Sequence, residues 1–256
     1  MLLCRFKTDN DTRLGLVQHD KIEALKGSLF DQDHIPTGET LSLNNVRLAA
    51  PCAPTKIVAV GLNYRDHAKE LHMGMPERPL IFIKPSTSVI GPLDEIIYPA
   101  CVKRLDYEAE LAIVIRKFCK DIEAGSAADY ILGYTALNDV TARDLQKADG
   151  QWTRAKSFDT FCPIGPFIAT DISADNLDLK LTLNGTVKQS SNTRNLLFKP
   201  NELVSFISKI CTLLPGDVIA TGTPGGVGPM EPGDVVEVSI EKIGTLKNMV
   251  AGKKHV

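Results

Sequence analysis

The chain has 256 residues, of which 43% are hydrophobic and 23% charged. A chain of that length can bury about 70–75% of its unfolded surface, as one large domain or a large one with a small annex. A formal net charge of −2 excludes the basic footprint of a nucleic-acid or acidic-membrane binder. No run of about 20 apolar residues is present, and Met1-Leu2-Leu3-Cys4-Arg5-Phe6-Lys7 lacks the apolar stretch of a signal peptide, which predicts a cytoplasmic protein. The cysteines (Cys4, Cys52, Cys101, Cys119, Cys162, Cys211) form no Cys-x-x-Cys pair, so buried free thiols are expected rather than a zinc or redox site.

Residues 2–6, 14–18 and 22–25 are short apolar runs separated by polar turns, which predicts a small antiparallel meander. Residues 31–45 are polar and weakly patterned. Pro51-Cys52-Ala53-Pro54 then favours an extended linker, so a small N-terminal β domain over 1–50 and a main domain over 51–256 are expected.

Residues 56–60 read as a buried strand, and Gly61-Leu62-Asn63 turns it into a helix over 64–72 with Asn63 as N-cap. On that helix Glu70 follows His67 at i+3, where side chains can meet. A histidine packed beside a surface glutamate would account for the pair. So would a dyad in which Glu70 holds one ring nitrogen while the other takes a proton from water. Leu80–Pro85 is a second buried strand, with Lys84 at its end, and residues 94–98 are a short extended segment.

Residues 104–115 read as one strand. Leu105, Tyr107, Ala109, Leu111, Ile113 and Ile115 share one parity, while Asp106, Glu108 and Glu110 share the other before Ala112 and Val114. A bare Glu-x-Glu is most simply a half-exposed strand facing water. Packed near a core, the same carboxylates raise one another's pKa unless a cation compensates, and a divalent metal is the simplest one.

A helix over 122–131 and a strand over 133–140 follow, the strand delivering Asp139 near its end. Such an aspartate is commonly a turn former, yet a third carboxylate is what an oxygen-rich metal site requires. Thr141 is placed to cap a turn or helix over 142–147 carrying Arg143, Asp144 and Gln146. Residues 152–159 read as a loop with Lys156. Residues 177–183 and 186–189 flank Asn184-Gly185, a strong hairpin signal. Residues 200–214 form the clearest helix, closed by Pro215-Gly216. Strands follow at 218–220 and 235–240. Between them the glycines around Thr221-Gly222-Thr223 could leave backbone N–H groups free for an anion, without the Gly-Lys-Ser/Thr ending of a phosphate loop.

Together, Gly61-Leu62-Asn63-Tyr64-x-x-His67-x-x-Glu70, Phe82-Ile83-Lys84-Pro85, Asp106-Tyr107-Glu108-x-Glu110-Leu111, Asn138-Asp139-Val140-Thr141-Ala142-Arg143-Asp144, Ala155-Lys156-Ser157-Phe158-Asp159 and Thr221-Gly222-Thr223-Pro224 resemble the fumarylacetoacetate hydrolase superfamily, in its expected order over about residues 55–250. The resemblance implies a mainly β protein with short helices: a mixed β-sandwich roll plus the small N-terminal meander, assembled as a homodimer. It also implies Glu108, Glu110 and Asp139 as ligands of Mg²⁺ or Mn²⁺. Three carboxylates suit such a hard cation, whereas zinc more often recruits His or Cys. By the same resemblance His67 and Glu70 activate water on a segment that orders over substrate, and Lys156 stabilises negative charge. Arg143, Gln146 and Thr223, with Lys84, are implied to bind the substrate.

Two departures narrow the resemblance. The larger fumarylacetoacetate hydrolases carry a further aspartate ligand shortly before the histidine, absent from residues 59–64, and a larger N-terminal domain. The short acylpyruvate hydrolase, oxaloacetate decarboxylase or tautomerase, and hydroxyheptadienedioate isomerase branch is the closer likeness. The expectation is therefore metal-dependent hydrolytic C–C cleavage of a small 2-oxo or 1,3-dioxo acid, with isomerisation or decarboxylation as the alternative. From another class, the same motifs fit a catalytically silent metal- or carboxylate-binding module.

Overall fold

In a computed structural model, which describes residues 1–8, 11–31, 34–65 and 76–254, the chain is mainly β with short helices. Strands β1 (Leu2–Lys7), β2 (Thr12–Gln18), β3 (Lys21–Lys26) and β4 (Ile35–Ser42) form the expected antiparallel meander. β4 lies in the stretch that read as unpatterned. It is an edge strand with mostly exposed side chains, so no apolar period marks it. After β5 (Arg47–Ala49), the two apolar runs give β6 (Lys56–Gly61) and β7 (Leu80–Pro85), paired antiparallel. The short β8 (Val89–Ile90) and β9 (Glu95–Pro99) follow.

The stretch 104–115 is two strands rather than one: β10 (Leu105–Tyr107) and β11 (Ala109–Ile115), interrupted at Glu108. At the interruption side chains replace the ladder. The Glu108 N–H donates to Asn138 Oδ1 at 2.9 Å, and the Ala109 N–H to Gln189 Oε1 at 2.9 Å. Two donors that would otherwise be orphaned in the interior are thereby satisfied. β11 is buried on both faces, so a single core parity does not describe it. Ala109 and Leu111 join one apolar cluster, Ala112 and Val114 a second, and Ile113 and Ile115 a third.

The helix expected over 122–131 is a 3₁₀ segment, Ala124–Tyr130, because Ile131 already belongs to β12 (Ile131–Asn138), the antiparallel neighbour of β11. β13 (Thr141–Ala142) leads into α1 (Arg143–Asp149). Thr141 does not cap this helix; its hydroxyl donates to the Asp139 carbonyl at 2.8 Å. The stretch read as a loop at 152–159 contains one helical turn, α2 (Thr153–Lys156). β14 (Cys162–Ala169) forms in a stretch to which the sequence assigned no element, since Pro163, Gly165 and Pro166 disfavour a strand. β15 (Asp178–Leu183) and β16 (Thr186–Asn192) form the hairpin, with Asn184 and Gly185 at φ of 51° and 77°. α3 (Pro200–Ile210) stops short of 214 because Leu213 leaves the helix to pair with Cys119. β17 (Val218–Ala220), β18 (Gly228–Met230), β19 (Val235–Ile240) and β20 (Gly244–Lys254) complete the described elements.

The strands form a large sheet ordered β4-β3-β2-β1-β14-β12-β11-β17-β6-β7 with β5 and β8 attached, a sheet ordered β16-β15-β19-β20-β9, and a small one ordered β13-β10-β18. β1 pairs with β14, so the meander is continuous with the large sheet. One core layer joins the large sheet to the second through Leu111, Ala136, Leu181 and Val238. A second holds Ile57, Ala112, Leu137, Ile164 and Val218, which makes the molecule the mixed β-sandwich roll expected. α3 covers β6, β11 and β17 with Leu203, Val204 and Ile207, each such side chain contributing about 1.5–3 kcal/mol on burial. Because β12 runs antiparallel to β11, Asp139 emerges beside Glu108 and donates its N–H to the Glu108 carbonyl at 2.8 Å. Among the described residues no helix is long and apolar enough to cross a membrane.

Candidate active site

The break at Glu108, the start of β11 and the end of β12 converge. Glu108, Glu110 and Asp139 each offer a carboxylate oxygen within 4.8 Å of the others, and all three residues are buried. Buried charge at this density is unstable without compensation, and cations from three elements supply part of it. Lys156, at the end of α2, places Nζ 2.9 Å from Glu108 Oε2 and 2.6 Å from Asp139 Oδ2. Lys84, from β7, places Nζ 2.6 Å from Asp139 Oδ1 and donates to the Val140 carbonyl at 3.3 Å. Arg143, from the first position of α1, reaches Glu108 Oε1 with Nη2 at 2.5 Å and Gln146 Oε1 with Nη1 at 2.5 Å. Its Nε meets Asp106 Oδ2 at 2.8 Å, and Arg104 Nε takes Asp106 Oδ1 at 2.8 Å.

Glu110 is treated differently. Among the described residues it has no ion pair, and its Oε2 accepts the Gly222 N–H at 2.7 Å. The glycine loop thus presents its N–H to a carboxylate of the chain itself. Gly222 is needed there: φ is +96°, and a Cβ would stand 2.8 Å from Asn63 Cβ. Asn63 fixes the loop from behind, donating Nδ2 to the Thr221 carbonyl at 2.7 Å and to the Phe198 carbonyl at 3.1 Å.

The consequences for protonation are opposite at the two glutamates. Burial pushes Glu108 up, but Lys156 and Arg143 outweigh it and hold its carboxyl at about 2. Burial, then Asp139 and Glu108, push Glu110 well above the usual carboxylate range. Burial pulls Lys156 down, but Asp139 and Glu108 overcome it, so its ammonium is held more firmly than usual. The cluster therefore lacks positive charge at Glu110. Its three hard oxygen donors, with no Cys or His ligand beside them among the described residues, fit a Mg²⁺- or Mn²⁺-type cation.

The carboxylates open onto a cavity of about 450 Å³. Arg143, Gln146 and Thr223 line its polar side, and Leu62, Leu80, Phe82 and Trp152 its apolar side. A larger groove of about 740 Å³, between β1, β14, β15 and β19, is lined by Asp178, Lys180, Glu241 and Lys242 but holds no such cluster of three carboxylates among the described residues. Among the residues expected from the sequence, Glu108, Glu110, Asp139, Lys156, Arg143, Gln146 and Thr223 are brought together here. Lys84 is fully buried and braces Asp139 from behind. His67 and Glu70 lie outside the described residues.

Three contributors had no role in the sequence reading. Asp106 anchors Arg143; it stood in the sequence only as the first residue of the Asp106-Tyr107-Glu108 motif and on the parity of Glu108, with no role assigned. Gln189 joins the strand break to the glycine loop, its Nε2 donating to Thr223 Oγ1 at 2.9 Å and to the Pro224 carbonyl at 2.9 Å, and no local signal marked it. Trp152, the chain's single tryptophan, read as part of a surface loop.

Comparison with known proteins gives the family of the chain. Residues 56–251 match the family model described as fumarylacetoacetate (FAA) hydrolase C-terminal, and residues 1–51 match one described as Rv2993c-like, N-terminal. A crystal structure of 5-carboxymethyl-2-hydroxymuconate delta-isomerase from Mycobacterium smegmatis superposes with a TM-score of 0.93 at 45% identity, over 99% of this chain and 100% of that one. Oxaloacetate tautomerase Fahd2a, mitochondrial, from Rattus norvegicus is 44% identical over 79% of this chain and 68% of its own length. The structure of maleylpyruvate hydrolase from Sphingobium sp. SYK-6, in complex with manganese(II) and pyruvate, gives a TM-score of 0.82 at 30% identity over 99% of this chain and 100% of that one. With a matched family model spanning most of its length and relatives of this similarity, the chain belongs to the fumarylacetoacetate hydrolase family of enzymes.

Proposed function

We propose that this protein is a divalent-metal-dependent enzyme acting on a small 2-oxo or 1,3-dioxo acid, and that its reaction is hydrolytic C–C cleavage of an acylpyruvate-type substrate. The observation that carries this reading is the buried Glu108, Glu110 and Asp139 cluster at the wall of a cavity whose other polar lining, Arg143, Gln146 and Thr223, is suited to a carboxylate. The carboxylates would hold Mg²⁺ or Mn²⁺. A bound ion of this type supplies Lewis-acid polarisation of a carbonyl. Arg143 would bind and orient the substrate carboxylate, steadied by Asp106 and Gln146. Lys156, held protonated between Glu108 and Asp139, would keep its positive charge beside negative charge developing on the substrate rather than act as a base. His67 would take a proton from water with Glu70 orienting its ring, an assignment resting on their sequence motif.

A second reading keeps the site and changes the reaction: isomerisation, tautomerisation or decarboxylation, which need the same charge stabilisation but no attacking water. The isomerase and tautomerase among the relatives favour it. A homodimer is proposed as the assembly, which sedimentation would test.

The decisive experiment incubates metal-free protein with acylpyruvates, fumarylpyruvate and oxaloacetate, with and without Mg²⁺ or Mn²⁺, and identifies the products. Metal-dependent release of pyruvate and a second acid supports hydrolysis. Carbon dioxide, or tautomer exchange without cleavage, moves the reaction to the second reading. Metal and oxalate binding with no turnover would leave a binding module.

A further inference from the structure

The apolar side of the cavity is built around Trp152. This residue precedes α2, and its carbonyl accepts the Lys156 N–H at 3.0 Å, so a single helical turn delivers both Trp152 and Lys156 to the site. At i and i+4 they lie on one side of that turn. Phe82 ties them together: its ring centroid is 5.2 Å from that of Trp152 in an edge-to-face arrangement, and Lys156 Nζ stands 5.1 Å from the Phe82 centroid.

Backbone bounds the indole on another side. A Cβ at Gly61 would stand 2.6 Å from Trp152 Cζ3 and 2.8 Å from Cη2, so Gly61 is the residue that lets the ring take this position at the end of β6. The indole is thereby fixed by Phe82, Gly61 and its own helical turn, yet it remains part of the cavity lining and is only partly buried. A held aromatic surface next to a polar, carboxylate-binding end selects for flatness as well as for apolar character.

Given the acylpyruvate-type substrate proposed for this cavity, we infer that Trp152, positioned by Gly61 and Phe82, is the specificity-determining residue for the acyl group, and that it favours planar, conjugated acyl groups over saturated ones of the same size. Removing the indole removes one face of the acyl subsite while leaving the carboxylate cluster in place.

The test compares benzoylpyruvate with cyclohexanecarbonylpyruvate in the metal-loaded wild type and in Trp152→Phe, Trp152→Leu and Gly61→Ala. Differences in intrinsic reactivity cancel when the planar-to-saturated ratio of kcat/KM in a variant is divided by that of the wild type. Trp152→Leu is expected to lower this ratio by about three- to tenfold, the equivalent of one aromatic contact. Trp152→Phe should retain most of the preference, and Gly61→Ala should lose much of it with the tryptophan still present.

Because the chain has one tryptophan, a second readout is direct. Benzoylformate, a planar 2-oxo acid that cannot undergo the cleavage, should change the emission of Trp152 in the wild type, and excess oxalate should reverse the change. An unaltered ratio in Trp152→Leu, or benzoylformate that inhibits without changing the emission, overturns the assignment while leaving the proposed function standing. No turnover of either acylpyruvate together with no oxalate binding would overturn both.

Discussion

Asp139 receives Lys156 Nζ on one carboxylate oxygen and Lys84 Nζ on the other, each at 2.6 Å, so two ammonium groups from different elements converge on one buried aspartate. Its neighbour Glu110 has no such partner among the described residues, and this asymmetry governs how the site responds to charge, pH and metal.

Replacing Lys156 by Met leaves Glu108 and Asp139 each short of a cation in a buried setting. The metal-free variant should be less stable by about 3–5 kcal/mol, read from chemical denaturation. Glu108 is held at about 2 by Lys156 and Arg143 against burial, so its stabilising share is fully present above the ordinary carboxylate pKa and is lost as pH falls from there through about 2. In Lys156→Met, where this depression is smaller, the acid limb should therefore be shallower than in the wild type.

Glu110 has the opposite sign. Its folded pKa is raised, so its contribution to the metal-free protein is full below the unfolded pKa and is lost as pH rises through the folded one. A divalent cation favours the carboxylate and displaces that proton, so metal affinity should increase with pH over this window. At a hundredfold excess over Kd, the ion should stabilise the fold by about 2.7 kcal/mol. Thermal melts with Mn²⁺ across pH would show the rise in the wild type and a flat, weakened response in Glu110→Gln; an equally steep response in that variant removes Glu110 from the metal site.

Asp106→Asn tests a positioning role. Asp106 is buried and takes Arg143 Nε and both Arg104 contacts. With the charge gone, Arg143 loses its fixed orientation, and kcat/KM should drop roughly 10- to 100-fold. The loss is expected mainly in KM, with the Mn²⁺-induced melting shift close to that of the wild type. A loss confined to kcat would point elsewhere.

Asp217 offers a prediction remote from the cavity. It accepts from Thr55 N at 3.0 Å, Thr55 Oγ1 at 2.6 Å, Lys56 N at 3.2 Å and Leu214 N at 2.8 Å, and pairs with Lys56 Nζ. Burial raises its carboxyl, but these partners outweigh it and lower the pKa, so its support is present at neutral pH and lost as pH falls below the ordinary carboxylate range. Asp217→Ala should cost about 3–5 kcal/mol at pH 7 and show a shallower acid limb than the wild type.

The sequence made β6 legible as a buried strand from its continuous apolar character, and the hairpin from its specific turn chemistry at Asn184-Gly185. The same apolar continuity misled at β7, expected to be buried: it is a strand, but at the edge of the large sheet, with Leu80 and Ile83 exposed. It failed where tertiary partners set the boundary. α3 ends early because Leu213 pairs with Cys119, and β14 forms despite Pro163 and Pro166 because its neighbours β1 and β12 complete its pairing. In the site, the carboxylates and their cations were visible as motifs. Gln189 and Trp152 were not, because what gives them meaning is contact across 34 residues to Thr223 in one case and across 91 to Gly61 in the other.

The interruption at Glu108 puts neighbouring residues of one chain into separate sheets, β10 with β13 and β18, β11 with β12 and β17. Glu108 stands at that junction and Glu110 within β11, so the distance between their carboxylates depends on how the small sheet is seated against the large one. A substitution at Gly228 or Met230, which pair with Tyr107 and Leu105 of β10, can thus alter the spacing of the two glutamates. The spacing of the acidic cluster is therefore set in part by a seam outside it, and can change while the acidic residues themselves stay fixed.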